Sequence, residues 1–145
     1  MKISTKGRYG IRLMLCLAIH YEKGTLSLKA IANEQQISEK YLEQIINLLA
    51  KAGLVKSFRG AQGGYILSRH PKDITVGKIL EVLEGSLSPV YCVDTPTCPN
   101  LDSCVTLSLW KKMRKALDEV VDNTTLDSMA QEYLEKEACL HKEQT

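Results

Sequence analysis

Long apolar runs are missing from this chain. The longest stretch that could serve a membrane or an export pathway, Leu13-Met14-Leu15-Cys16-Leu17-Ala18-Ile19, has seven residues, against the ~20 that a spanning helix requires. Nothing at the N-terminus reads as a secretory signal, and a lipoprotein cleavage site would need a small residue where Leu15 stands. The five cysteines are an odd set that cannot close into intramolecular disulfides without a remainder, so the expected setting is the reducing cytosol. Histidine is scarce. The three present, His20, His70 and His141, sit in no recognisable catalytic context. A nucleophilic cysteine needs a base beside it, so an enzyme is not expected.

With 145 residues and 44% hydrophobic content, the chain can bury one core and carry an appended helix that packs elsewhere. Its net charge of +2 hides an asymmetry: residues 1–70 hold 11 lysines and arginines against 4 acids, and the remainder 8 against 13. A basic first half is the electrostatic footprint of a polyanion-binding module, with the acidic half left to solvent or a partner.

Residues 8–21 are apolar around most of the circumference and predict a helix buried on several sides, with Cys16 as inert packing. Ser27 can cap a short helix in which Leu28, Ile31 and Ala32 share a face. After a turn at Ile37, Ser38 caps a second, with Leu42, Ile45, Ile46 and Leu49 inward and Gly53 at its end. Two short helices so joined fit a helix-turn-helix, or an ordinary helical hairpin. The next segment separates the two. Leu54 to Arg59 reads as a strand, Gly60-Ala61-Gln62-Gly63-Gly64 as a glycine turn and Tyr65 to Ser68 as the return strand, which together make a wing. The expected fold class is therefore mainly α with a small β-hairpin: a winged helix-turn-helix domain followed by a long C-terminal dimerisation helix.

In that fold Ser38, Lys40, Tyr41, Glu43 and Gln44 lie where a recognition helix meets bases and phosphates. Gln44 suits an adenine edge and Glu43 a cytosine amine. Lys40, Lys2, Lys6, Arg8 and Lys56 are better assigned to phosphates. Gly60, Gly63 and Gly64 leave a wing tip of little bulk, and Arg59 at its base is placed to enter a minor groove. Tyr65 is as well suited to wing core as to a phosphate.

Ile74 to Glu84 predicts a further packing helix that stops at Gly85. From there to Ser103 the chain has no periodicity and three of its four prolines, and a loop that long is functional or held by something. It carries Cys92, Cys98 and reaches Cys104. Gaps of five residues are too open for a zinc knuckle, which makes zinc a second choice to an iron-sulfur cluster. A metal-free thiol switch is the third reading and inert cysteines the last. Beyond the loop, Leu107, Trp110, Met113, Leu117, Val120 and Val121 form an apolar stripe that must bury against a second copy or against its own domain.

Met1-Lys2-Ile3-Ser4-Thr5-Lys6-Gly7-Arg8-Tyr9-Gly10, Ser38-Glu39-Lys40-Tyr41-Leu42-Glu43-Gln44, Gly53-Leu54-Val55, Arg59-Gly60 and Gly63-Gly64-Tyr65 together resemble the Rrf2 family of winged-helix transcription regulators, over nearly the whole chain. The resemblance implies a homodimeric repressor or activator, with the helix from Ser38 in the major groove, Arg59 in the minor groove and the long helix after Cys104 crossing the dimer.

Cys92, Cys98 and Cys104 look like the three cysteines with which one branch of the family, the iron-sulfur cluster regulators, binds a 2Fe-2S cluster. The histidine that completes that site is replaced by Leu107. The positions that match the first-helix ligands of other branches are Arg8 and Arg12, both cations. Thr106, Ser108, His20, Glu22, Cys139, His141, water or a small thiol remain for the fourth position. The N-terminal half and residues 74–90 also resemble a second branch, the cysteine metabolism repressors, which work without a cluster and partner cysteine synthase. The expected organisation is a DNA-binding domain over residues 1–84, a cysteine-bearing loop over 85–103, a dimerisation helix and C-terminal helix over 104–138, and a flexible tail over 139–145.

Overall fold

The computed structural model describes residues 2–144. Met1, which opens the first matching segment, and Thr145, the end of the expected tail, lie outside them. Helix α1 (Thr5–Ile19) starts earlier than its apolar pattern because Ser4 caps it, accepting from the Gly7 amide at 3.2 Å. Helix α2 (Leu28–Gln35) is capped by Ser27 and ends at Gln36 in the left-handed conformation. Helix α3 (Glu39–Lys51) buries Leu42, Ile45, Ile46 and Leu49 as expected, and Gly53 follows it at φ 76°. These helices meet Leu13, Met14, Leu17 and Ile31 in one core.

Strands β1 (Val55–Phe58) and β2 (Gly64–Leu67) pair antiparallel, with Val55 opposite Leu67 and Phe58 opposite Gly64. The wing has a third partner that no local pattern announces. Leu26 bridges Tyr65 through two backbone bonds, 3.0 and 2.8 Å, and the Thr25 hydroxyl donates to the Gln62 carbonyl at 2.8 Å. The hairpin is thereby tied to the segment before α2.

Helix α4 (Val76–Glu84) lies against α1. Contact is close because Gly7 and Gly10 face Glu84 and Leu83, where a side chain would collide. Glu84 in turn accepts from the Ser4 amide at 3.0 Å and from its hydroxyl.

The C-terminal half differs from expectation in three ways. First, residues 85–103 are not structureless: they form helix α5 (Tyr91–Asp94) and a 3-10 turn at Leu101–Ser103. Helices α6 (Val105–Asn123) and α7 (Leu126–Glu143) follow as the two expected, broken where Thr125 and Ser128 make a capping box. Second, the core of the DNA-binding unit does not close at residue 84. Val76 donates to the Thr124 carbonyl at 2.8 Å and Leu126 to the Ile74 carbonyl at 3.0 Å, which carries Leu126 and Ala130 into the main core. Third, residues 139–143 are helical rather than a flexible tail, their Leu, Lys and Glu being good helix formers with His141 and Lys142 at the end that favours cations.

Only part of the apolar stripe of α6 is buried against its own domain. Val121 packs with Val76, Leu80 and Leu87, and Leu117 borders that cluster. Leu107 is buried as well, and Trp110 is half-buried. Met113 and Val120 of the stripe, with Val105 and Leu109 beside them, face outward.

Candidate nucleic-acid interface and cysteine loop

Along α3 the core residues take one face and leave Glu39, Lys40, Glu43 and Gln44 exposed on the other. Lys40, Glu43 and Gln44 are thus free for groove contacts. Ser38 is not wholly free: its hydroxyl accepts from the Tyr41 amide at 3.4 Å and starts the helix. Tyr41 is half-buried, its ring set edge-on to Tyr9 at 5.8 Å. Arg12 lies over the Tyr9 ring at 5.5 Å and Arg8 at 6.0 Å. The aromatic pair therefore joins the first turns of α1 and α3. Lys2 is exposed and Lys6 half-buried. Arg12 is fixed otherwise, its guanidinium donating to the Gln35 side chain at 3.1 Å and to the Gln35 carbonyl.

Arg59 and Lys56 are exposed on the wing. Gly60, at φ 104°, opens the tip and accepts from the Gly63 amide at 2.9 Å. Gly63 and Gly64 are required by close approach: a Cβ on Gly64 would stand 2.7 Å from the Leu26 carbonyl, and one on Gly63 would strike Phe58 and Gly60. Tyr65 is half-buried and packs against the main core, as the wing-core reading expects. Thr25 and Leu26, which hold the hairpin, were invisible to sequence reasoning because their partners lie 37 or more residues on.

Cys92 sits on α5, Cys98 in the loop after it and Cys104 at the N-cap of α6. Cys98 is exposed and the other two half-buried, so all three reach solvent. The Thr106 hydroxyl lies 3.3 Å from the Cys104 sulfur. That contact and the Leu107 amide hold the thiol below the ordinary cysteine range, the state a metal or an oxidant meets most readily. Three soft donors of this kind suit iron better than a hard cation. Their sulfurs do not all lie within 4.8 Å of one another; among the described residues, the only group of three possible ligands that close is Cys16, His20 and Glu34.

The fourth position is narrowed by placement. Leu107 is buried and carries no donor, Arg8 and Arg12 are cations, and His20 bonds the Cys16 carbonyl. Cys139 and His141 lie on the exposed end of α7, Glu22 is an exposed turn residue and Ser108 an exposed one on α6. Thr106 stands next to a cysteine already.

No helix among the described residues is long and apolar enough to cross a membrane. Comparison with known proteins agrees with the architecture. The model of the family described as Rrf2, iron-dependent transcriptional regulator, matches residues 3–132. The chain is 48% identical over 130 residues to the transcriptional regulator CymR of Bacillus subtilis, covering 90% of each. The solved structure of CymR, the global cysteine regulator of B. subtilis, superposes with a TM-score of 0.78 at 46% identity, covering 90% of this chain and 97% of that one. The structure of T. potens IscR superposes at 0.75 with 50% identity, covering 92% and 88%. CymR of B. subtilis is named as a helix-turn-helix transcriptional regulator. A helix-turn-helix, a glycine-tipped wing braced on the core and a match over nearly the full length lead to one conclusion: the chain belongs to the Rrf2 family of transcriptional regulators.

Proposed function

We propose that the protein is a cytoplasmic, dimeric, sequence-specific DNA-binding repressor whose affinity for its operator is set by a 2Fe-2S cluster on Cys92, Cys98 and Cys104. The observation that carries this reading is the junction of two features: a basic surface around α3 and Arg59, and three accessible thiols joined to the long helix α6. In this reading α3 lies in the major groove with Lys40 on phosphate and Glu43 and Gln44 on base edges. Arg59 enters the minor groove; Gly60 leaves room for it, while Gly63 and Gly64 hold the wing's shape. Lys2, Lys6, Arg8 and Lys56 add phosphate contacts that supply affinity without sequence information. Ser38 and Tyr41 position the helix.

When bound, such a cluster supplies a redox centre whose ligation responds to oxidants and to iron supply. The chain's own part is to present thiolates, Cys104 foremost, and to join them through α6 to a second copy. Met113, Val120, Leu109 and Val105, exposed on α6, are the face that this copy covers. The genes controlled are those of iron-sulfur assembly or of sulfur and cysteine metabolism.

Iron and acid-labile sulfide analysis of protein purified without air tests the cofactor: a brown protein with visible absorption is expected, and a colourless one without iron overturns it. Titration of duplex promoter fragments at fixed salt tests the DNA reading, with preference over random duplex as the expected result.

The 48% identity to CymR favours a second reading, a cluster-free repressor of cysteine metabolism that answers to thiol oxidation or to a partner enzyme such as cysteine synthase. It predicts that serine at all three loop positions leaves iron and acid-labile sulfide content at zero and changes the response to oxidants.

A further inference from the structure

Cys16 is fully buried, as inert packing would require, but its neighbours are not inert. His20 stands one helical turn later on the same face of α1, and α2 brings Glu34 to the same place. The Cys16 sulfur, an imidazole nitrogen and a carboxylate oxygen all lie within 4.8 Å of one another. Zinc bonds of ~2.0–2.3 Å set neighbouring donors of a tetrahedral site ~3.3–3.8 Å apart, so side-chain shifts of about an ångström would close this one.

The imidazole is oriented for the task. Its Nδ1 is 2.9 Å from the Cys16 carbonyl, which can only accept, so the proton of the neutral ring resides there and Nε2 carries a lone pair. Nε2 faces Glu34 Oε2 at 3.9 Å, too long for a hydrogen bond. Two electron-rich atoms opposed at that distance leave room for a cation between them. A backbone carbonyl fixing the far nitrogen of a histidine is also what orients metal-bound histidines generally. His20 and Glu34 are each about one-third exposed (33% and 39%), which opens the site to an arriving ion and to a water in the fourth position. Arg12, one turn earlier on α1, is already bonded to Gln35.

We propose that Cys16, His20 and Glu34 form a metal site separate from the cysteine loop, taking Zn²⁺ or a similar divalent transition ion and clamping α1 to the first helix of the helix-turn-helix. Binding releases the thiol proton to solvent and leaves a thiolate, imidazole and carboxylate on the ion.

The test uses the full chain with Cys92, Cys98, Cys104 and Cys139 all changed to serine, so that Cys16 is the one thiol left and the result is independent of any cluster. Titration with Co²⁺ under anaerobic conditions is expected to saturate at one ion per chain, with a thiolate-to-cobalt charge-transfer band that Zn²⁺ abolishes by displacement. Zn²⁺ is expected to raise the melting temperature. His20→Ala and Glu34→Gln, both at partly exposed positions, should each weaken binding ~10-fold or more, and Cys16→Ala should remove the charge-transfer band. Absence of that band in the starting protein, or cobalt affinity unchanged by His20→Ala, overturns the proposal.

Discussion

The guanidinium of Arg114 on α6 lies 3.5 Å from the Asp94 carboxylate at the end of α5, and the same nitrogen donates to the Ser88 hydroxyl at 2.7 Å. Asp94 also accepts from Ser88 at 2.6 Å and from Ser86. A second nitrogen of Arg114 bonds Asp118 at 2.8 Å. The cysteine loop is thus fastened to the long helix at one polar knot, next to the helix that carries Cys92.

The knot should be pH-dependent. Bonds from Ser86 and Ser88, and then the charge of Arg114, hold the Asp94 carboxyl below its ordinary range. A folded-state value that is depressed contributes stability above the unfolded value, and that contribution is lost as pH falls through the folded value. The melting temperature of the native chain should exceed that of Asp94→Asn near neutral pH, and the difference should vanish in acid below the usual carboxylate range. Thermal melts of both proteins across pH check this.

Cys104 should react at lower pH than an ordinary thiol. The Thr106 hydroxyl and the Leu107 amide favour its thiolate. Iodoacetamide, followed by peptide mass spectrometry over a pH series, should label Cys104 with a half-point below the ordinary cysteine range in metal-free protein. Thr106→Val should move its half-point upward.

Gly64→Ala should destabilise the protein by ~1–3 kcal/mol, the usual range for forcing extra atoms into a packed place. The added Cβ would press on the Leu26 backbone from a φ of +155°. The Leu26–Tyr65 bridge must then open or the wing must shift. Urea denaturation gives the loss, and Gly60→Ala at the open tip, where nothing lies within 4 Å, separates crowding from the φ penalty alone.

Arg59→Ala and Lys56→Ala should fail differently on DNA. Loss of the groove contact from Arg59 should cost ~1–3 kcal/mol on the specific site, with specificity relaxed. Loss of a phosphate contact from Lys56 should weaken specific and random duplex alike and lower the salt slope by about 1. Fluorescence titrations over a range of salt distinguish the two.

Much of the DNA-binding unit was legible because its signals are local. Ser27 and Ser38 act as caps where the sequence places them, the i, i+3, i+4 pattern of Leu42, Ile45, Ile46 and Leu49 is the buried face of α3, and the glycine cluster between two apolar runs is a hairpin turn. The three cysteines were legible as residues. Their surroundings were not, because Asp94 meets Arg114 across 20 positions and no periodicity encodes that. The edge-on contact of Tyr41 with Tyr9 was hidden for the same reason: the partner is on another helix.

Residue order by itself determined which segments of the DNA-binding unit are helical, where the wing turns, how charge is divided between the halves and that three cysteines lie close along the chain; each follows from spacing, caps and composition over a few neighbouring residues. Tertiary structure alone decided that α7 completes the N-terminal core through Leu126 and Ala130, that Leu26 braces the wing, that half of the α6 stripe is used at home, and that Cys16, His20 and Glu34 meet. The reason is physical: such pairings are chosen by which apolar faces can be buried together, a property of the whole chain that no single stretch of it contains.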